Sequence, residues 1–212
     1  MTAARIRPIS PRALVDEIAD RVAARAPQGR LRVAIDGADA AGPDAFADTL
    51  VDPLRVRGRP VLRVRSRDFL RPASVRLELG RTNPEAYYER WLDEPALRRE
   101  VLDPLGPGGG GRALPSLWDA EADRATRAAY TSVPFGGVAL ISGPLLLGAG
   151  LPFDVTVHLA LSPAALARRT HPAAAWTLPA LARYEAEVRP AEIADLVVRI
   201  DDPRRPALAD PG

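Results

Sequence analysis

The chain has 212 residues, a formal charge of +2 from 29 basic and 27 acidic side chains, and no cysteine. That length suits one α/β domain with a sizeable core, and near-balanced charge argues against nucleic acid or an anionic membrane as the main partner. The lack of cysteine excludes disulfides, zinc–thiolate centres and a thiol nucleophile, and His158 and His171 are too few for a histidine metal centre, so no metal site is expected.

Every basic residue is arginine, so the pI near 9.5 reflects arginine's high pKa and not a cationic excess. Residues 1–28 read as an N-terminal helical extension. Leu14, Val15, Ile18, Val22 and Ala23 recur at helical spacing between Pro11 and about Ala26, and no apolar signal-peptide core precedes them, so a cytoplasmic location is expected. "LRVAID" is a short strand. A glycine loop follows it, and then a helix from Asp44 to Leu54. Further strands are expected at Arg59–Arg65, Gly137–Gly143, Asp154–Ser162 and Ala194–Asp201, with helices at Pro84–Val101, Pro163–Arg169 and Leu178–Val188. This alternation predicts a five-stranded parallel sheet covered by helices on both faces, one domain spanning 29–203. The tract Gly106–Gly111 reads as a flexible connector, and the tail 204–212 should fray. Val133–Phe153 carries no charge, but its glycines and prolines fit a buried strand, a turn and a short helix better than a membrane span.

Gly37 and Gly42 stand five apart between a strand and a helix, the glycine spacing of the phosphate-binding pattern G-x-x-x-x-G-K-[ST]. The loop Gly37, Ala38, Asp39, Ala40, Ala41, Gly42 is followed by Pro43 at the lysine position and Asp44 at the hydroxyl position. Proline supplies neither an ammonium nor an N–H, and a carboxylate at a helix N-terminus caps well but repels a triphosphate. No other segment can donate an ammonium, because the chain has no lysine.

Together "VAIDGADAAG", "RPVLRVRSRDFLRP", "GRTNPEAYYERWLDEPALRREVLDPLGPGG" and "ADLVVRIDDPRRP" make the chain resemble the uridine kinase and phosphoribulokinase-like branch of P-loop kinases, along most of its length. The resemblance implies a P-loop NTPase fold of the nucleoside kinase type, three-layered with a five-stranded parallel sheet, ATP and Mg²⁺ at Gly37–Asp44, and a nucleoside-like acceptor near Phe69, Arg71, Tyr87 and Tyr88. It also implies a lid, short here at about 170–190, with Arg169, Arg183 and Arg189 as its cations. The family's acceptor-deprotonating acid matches Arg67, which cannot act as a base, and the adjacent Asp68 replaces it only if the loop shifts by one residue. Ser142 stands where the family usually has an acid before glycine.

With lysine, hydroxyl and both acids replaced, the leading expectation is a pseudokinase that binds a nucleoside-like molecule or a protein. One alternative is an active uridine- or cytidine-type kinase with rearranged metal and phosphate chemistry. The other is a structural subunit of a homo-oligomer or complex.

Overall fold

The computed structural model describes residues 5–26 and 28–210. Seven strands form one sheet: β1 (Arg5–Pro8), β2 (Leu31–Asp36), β3 (Val61–Arg65), β4 (Val138–Gly143), β5 (Val155–Ala160), β6 (Leu196–Arg199) and β7 (Ala207–Asp210), in the spatial order β1-β7-β6-β5-β2-β4-β3. From β3 to β6 all neighbours are parallel; these are the five expected strands, with β2 at the centre. All six residues of β2 are buried, as a strand covered on both faces requires.

Alternation along the strands sorts the core into two layers. Val33, Ile35, Val138 and Leu140 face α1 (Pro11–Ala24) and α2 (Pro43–Val56), meeting Leu14, Ile18, Val22, Leu50 and Leu54. Ala34, Val64, Ala139 and Ile141 face the other layer, which contains Phe69, Leu97, Val101, Leu102 and Tyr184. That second layer is built from α3 (Pro84–Arg90), α4 (Glu94–Leu97) with its π-turn Arg98–Leu102, and α6 (Leu178–Glu187); α5 (Pro163–Arg169) leads from β5 towards α6.

Several expectations change. The sheet has seven strands, because the tail is ordered as far as it is described: β7 runs antiparallel to β6 and β1, and Leu208 is wholly buried, while residues 211 and 212 lie outside the described residues. The N-terminal helix is one face of the core and no appendage, since Leu14, Ile18, Ala19 and Val22 pack against the sheet. The helix expected over Pro84–Val101 breaks after Arg90 and restarts at Glu94, where Asp93 accepts from the Ala96 amide (3.0 Å). Pro95 forces the break, as it has no N–H and its ring clashes with the carbonyl one turn back. After β4, residues 144–154 form turns and bends with no helix, Leu145 taking a positive φ of 61°. Gly106–Gly111 is an ordered reversal, not a loose connector: Gly109 donates to Gly106 (3.0 Å) and Gly111 to Pro104 (2.8 Å). No helix among the described residues is long and apolar enough to cross a membrane.

If β7 is part of the cooperative core, Leu208→Ala leaves a cavity and costs about 2–5 kcal/mol. At roughly 2–4 °C per kcal/mol, the melting temperature should fall by several degrees, and an unchanged melt would place β7 outside the core.

Candidate functional site

β2 ends at Asp36 and the chain turns at Gly37, whose amide donates to the Gly143 carbonyl (3.2 Å). Asp39–Ala41 then close a 3₁₀ turn, with the Ala41 amide on Ala38 (2.7 Å) and the Gly42 amide on Asp39 (3.0 Å). Gly42 (φ 75°, ψ 47°) takes the left-handed conformation that lets Pro43 start α2 at once, where its fixed φ suits the first helical position. A phosphate-binding nest needs successive amides aimed outwards at the anion. Here the Gly37, Ala41 and Gly42 amides are committed to carbonyls and Pro43 has none. The glycine spacing survives as a tight strand-to-helix turn.

Asp44, one residue into α2, is held on both carboxylate oxygens. Ser142 Oγ donates to Oδ1 and the Arg67 guanidinium to Oδ2. Arg63 donates to Ser142 Oγ (3.0 Å) and to Asp48 (2.8 Å), and Arg65 reaches Asp48 at 3.4 Å. The alternation of Arg63 and Arg65 along β3, continued by Arg67, meets the one-turn spacing of Asp44 and Asp48 on α2. This ladder was readable from the spacing, yet Arg63, Arg65 and Asp48 were not singled out. Beside it lies a cavity of about 340 Å³ lined by Gly42, Asp44, Ser66, Arg67, Gly143 and Pro144. Asp68 is half-buried at this end of β3, and burial raises its carboxyl pKa against the opposing pull of Arg65 and Arg67. The shift of register that would put Asp68 in place of Arg67 does not occur: Arg67 is the residue that faces Asp44.

A second constellation escaped the sequence reading. Asp36 has no solvent exposure; its Oδ1 accepts from the Leu146 amide (2.9 Å) and its Oδ2 lies 2.6 Å from His158 Nδ1. His158 is 2% exposed, and its Nε2 makes no hydrogen bond but lies 3.6 Å from Glu185 on α6. Burial lowers the imidazole's pKa, but the Asp36 and Glu185 carboxylates outweigh it and push it up to about 9. Next to Glu185, the Tyr184 hydroxyl accepts from the Leu147 amide (3.0 Å), and burial together with the Asp36 charge raises its pKa. The strand preceding the loop, the turn after β4, β5 and α6 are thus joined at one buried carboxylate.

The expected acceptor and lid residues separate. Tyr87 borders a cavity of about 200 Å³ together with Ala38, Asp39, Ala40, Arg169 and His171. Its ring meets Trp91 (5.2 Å between centroids) and Trp176 (5.5 Å) edge-on. Phe69 is wholly buried in the core, so it packs the fold and offers no face to a ligand. Tyr88 turns to α6, its hydroxyl 3.2 Å from Glu187 and its ring 4.4 Å under the Arg183 guanidinium. Arg71 lies near Glu94, whose carboxyl burial raises while Arg71 lowers it. Of the lid cations, Arg169 donates to the Ile200 carbonyl (2.6 Å), Arg183 is held by Glu85, Glu89 and Glu187, and Arg189 pairs with Glu192 (3.1 Å). Arg183 and Arg189 are engaged by their own neighbourhoods, whereas Arg169 borders the cavity beside the loop with its Nη1 on a backbone carbonyl.

No protein-family model and no curated protein sequence matches the chain. Solved structures do. A protein described as a possible uridine kinase from Bacillus stearothermophilus superposes with a TM-score of 0.68 at 21% identity, over 88% of this chain and 97% of its own. A provisionally assigned fructose transport system kinase from Silicibacter sp. TM1040 gives a TM-score of 0.56 at 23% identity, over 88% of this chain and 95% of its own. At these identities the likeness establishes the fold alone: an α/β fold shared with both structures over nearly the whole chain.

Because the folded-state pKa of His158 lies above its ordinary 6.5, its contribution to stability is complete below about pH 6.5 and lost as pH rises through about 9. The urea midpoint should therefore fall between pH 7 and pH 10. In His158→Gln this pH-dependent fall should be largely absent, and an identical fall in both proteins would remove the Asp36–His158 pair as its cause.

Proposed function

We propose that this chain is a pseudokinase: a binding protein on a uridine kinase-like scaffold that has given up ATP-dependent phosphoryl transfer. One observation carries the reading. The carboxylate at the position of the Mg²⁺-binding hydroxyl is clamped by Arg67 and Ser142, the two residues that stand in place of the family's acids. The charges have exchanged sides, acid for hydroxyl on the helix and base for acid on the strand, and the exchanged groups neutralise each other.

Phosphoryl transfer depends on positioned positive charge around the phosphates and on a group that takes the acceptor's proton. The residues present do not fit a triphosphate with its Mg²⁺. Asp44 would face the phosphates with a negative charge, the Gly37, Ala41 and Gly42 amides are already on carbonyls, and Arg183 and Arg189 are paired with glutamates. What remains open is the cleft on either side of the loop, with Tyr87 at one cavity and Arg67 at the other, and this supports binding of a nucleoside-like molecule without transfer.

Asp68 favours the second reading, an active kinase of rearranged chemistry, because a half-buried carboxyl of raised pKa beside a cleft suits a general base. Under that reading Asp68→Asn abolishes turnover.

The deciding experiment pairs a radiolabelled assay on uridine and cytidine with thermal-shift titrations of ATP, uridine and cytidine, with and without Mg²⁺. We expect no transfer and no Mg²⁺-dependent shift with ATP, while a nucleoside at a hundred times its Kd would add about 2.7 kcal/mol and move the melt visibly. Turnover of about 1–100 per second, the ordinary range for kinases, would overturn the proposal. Asp44→Ser, which frees Arg67, should bind inorganic phosphate more tightly than the parent.

A further inference from the structure

At the opposite end of the sheet, the ordered tract Gly106–Gly111 lies against two arginines. A Cβ on Gly111 would sit 2.2 Å from Arg30 Nη2, and one on Gly106 would sit 2.9 Å from Arg32 Nη1. Glycine at both places lets two guanidiniums lie on bare backbone. They border a cavity of about 570 Å³, within the size range of small-molecule sites, whose wall also includes Arg25, Phe135 and Asp154.

The two arginines differ in what holds them. Arg32, only 8% exposed, makes a two-pronged pair with Asp154 (2.7 and 2.9 Å) that neutralises its charge. Arg30 has no carboxylate within ion-pair distance among the described residues. Its Nε donates to the Val133 carbonyl (2.7 Å), and its guanidinium lies 4.2 Å over the Phe135 ring. Phe135 is 73% exposed, so with Arg30 on one face most of the ring stands in solvent. Arg25 adds a second cation at the rim, tied at 3.3 Å to the exposed Asp195. An unneutralised guanidinium beside an uncovered aromatic ring, at a roomy cavity with a glycine-lined wall, is a combination that recognises a flat ring bearing a negative group.

We propose that this cavity is a second binding site, taking a planar organic anion of mononucleotide size, its ring on Phe135 and its anionic group on Arg30. The site is independent of the loop. Leu31 and Arg32 open β2 and Asp36 closes it, which at ~3.3 Å per residue separates the two ends by roughly 17 Å.

Calorimetric titration of the full chain with UMP and AMP, with inorganic phosphate as the anion alone and uridine as the ring alone, tests this. UMP or AMP should bind, with at least a tenfold loss of affinity in Phe135→Ala and in Arg30→Gln, and no change in Arg55→Gln, an exposed arginine of α2 that borders neither cavity. Phe135 is largely in solvent, so its variant reads the site even if Arg30→Gln disturbs the glycine wall. Absence of binding by both nucleotides would overturn the proposal. So would phosphate alone binding as tightly as they do, or binding that persists in Phe135→Ala.

Discussion

Asp36 ends the central strand with its carboxylate wholly removed from solvent, a position that costs several kcal/mol unless the charge is paired and hydrogen-bonded. Its partners come from three other parts of the fold: the Leu146 amide after β4, His158 on β5, and the neighbouring Tyr184 on α6, while Glu185 on α6 lies against the far nitrogen of His158. Satisfying one buried charge therefore fixes how the strand order closes around β2 and where α6 rests. The loop that begins at Gly37 starts from this fixed point, which is why its path stays regular.

Charge is also matched across the contact beside the loop. Asp44, Asp48, Arg63, Arg65 and Arg67 line the contact between α2 and β3, and each guanidinium is partnered by a carboxylate on the helix. Arginine suits this ladder because its fork can serve two acceptors at once, as Arg63 does with Asp48 and Ser142. Once a carboxylate occupies the start of the helix, a cation opposite it becomes favourable and an acid opposite it costly. Pro43→Lys alone would leave Asp44 and Arg67 in place.

The end of the sheet where β2, β3 and β4 begin uses arginine against backbone in two ways, with different results. At the α1 terminus, the buried Arg59 points Nη1 at the Ala23, Arg25 and Ala26 carbonyls, a helix-capping role. Around the glycine tract the guanidiniums of Arg30 and Arg32 border open space instead, and that openness separates a binding surface from a structural cap.

The strand–helix alternation, the two-sided burial of "LRVAID" and "VALISG", and the presence of proline and aspartate after Gly42 could be read directly, because periodicity and side-chain type are local properties of the chain. Pairing is not local. β1 and β7 are four-residue strands whose apolar signal is weak, and they exist because each offers the other a ladder beside β6. Likewise Phe69, in a motif that suggested ligand contact, went to the core, and His158 found Asp36, 122 positions away. The sequence by itself determined the scaffold and the absence of an ammonium at the loop, since these rest on which residues are present and at what spacing. Only the tertiary structure decided that Asp44 and Arg67 neutralise each other and that the glycine tract forms a wall, because both depend on which distant side chains share the same few ångströms.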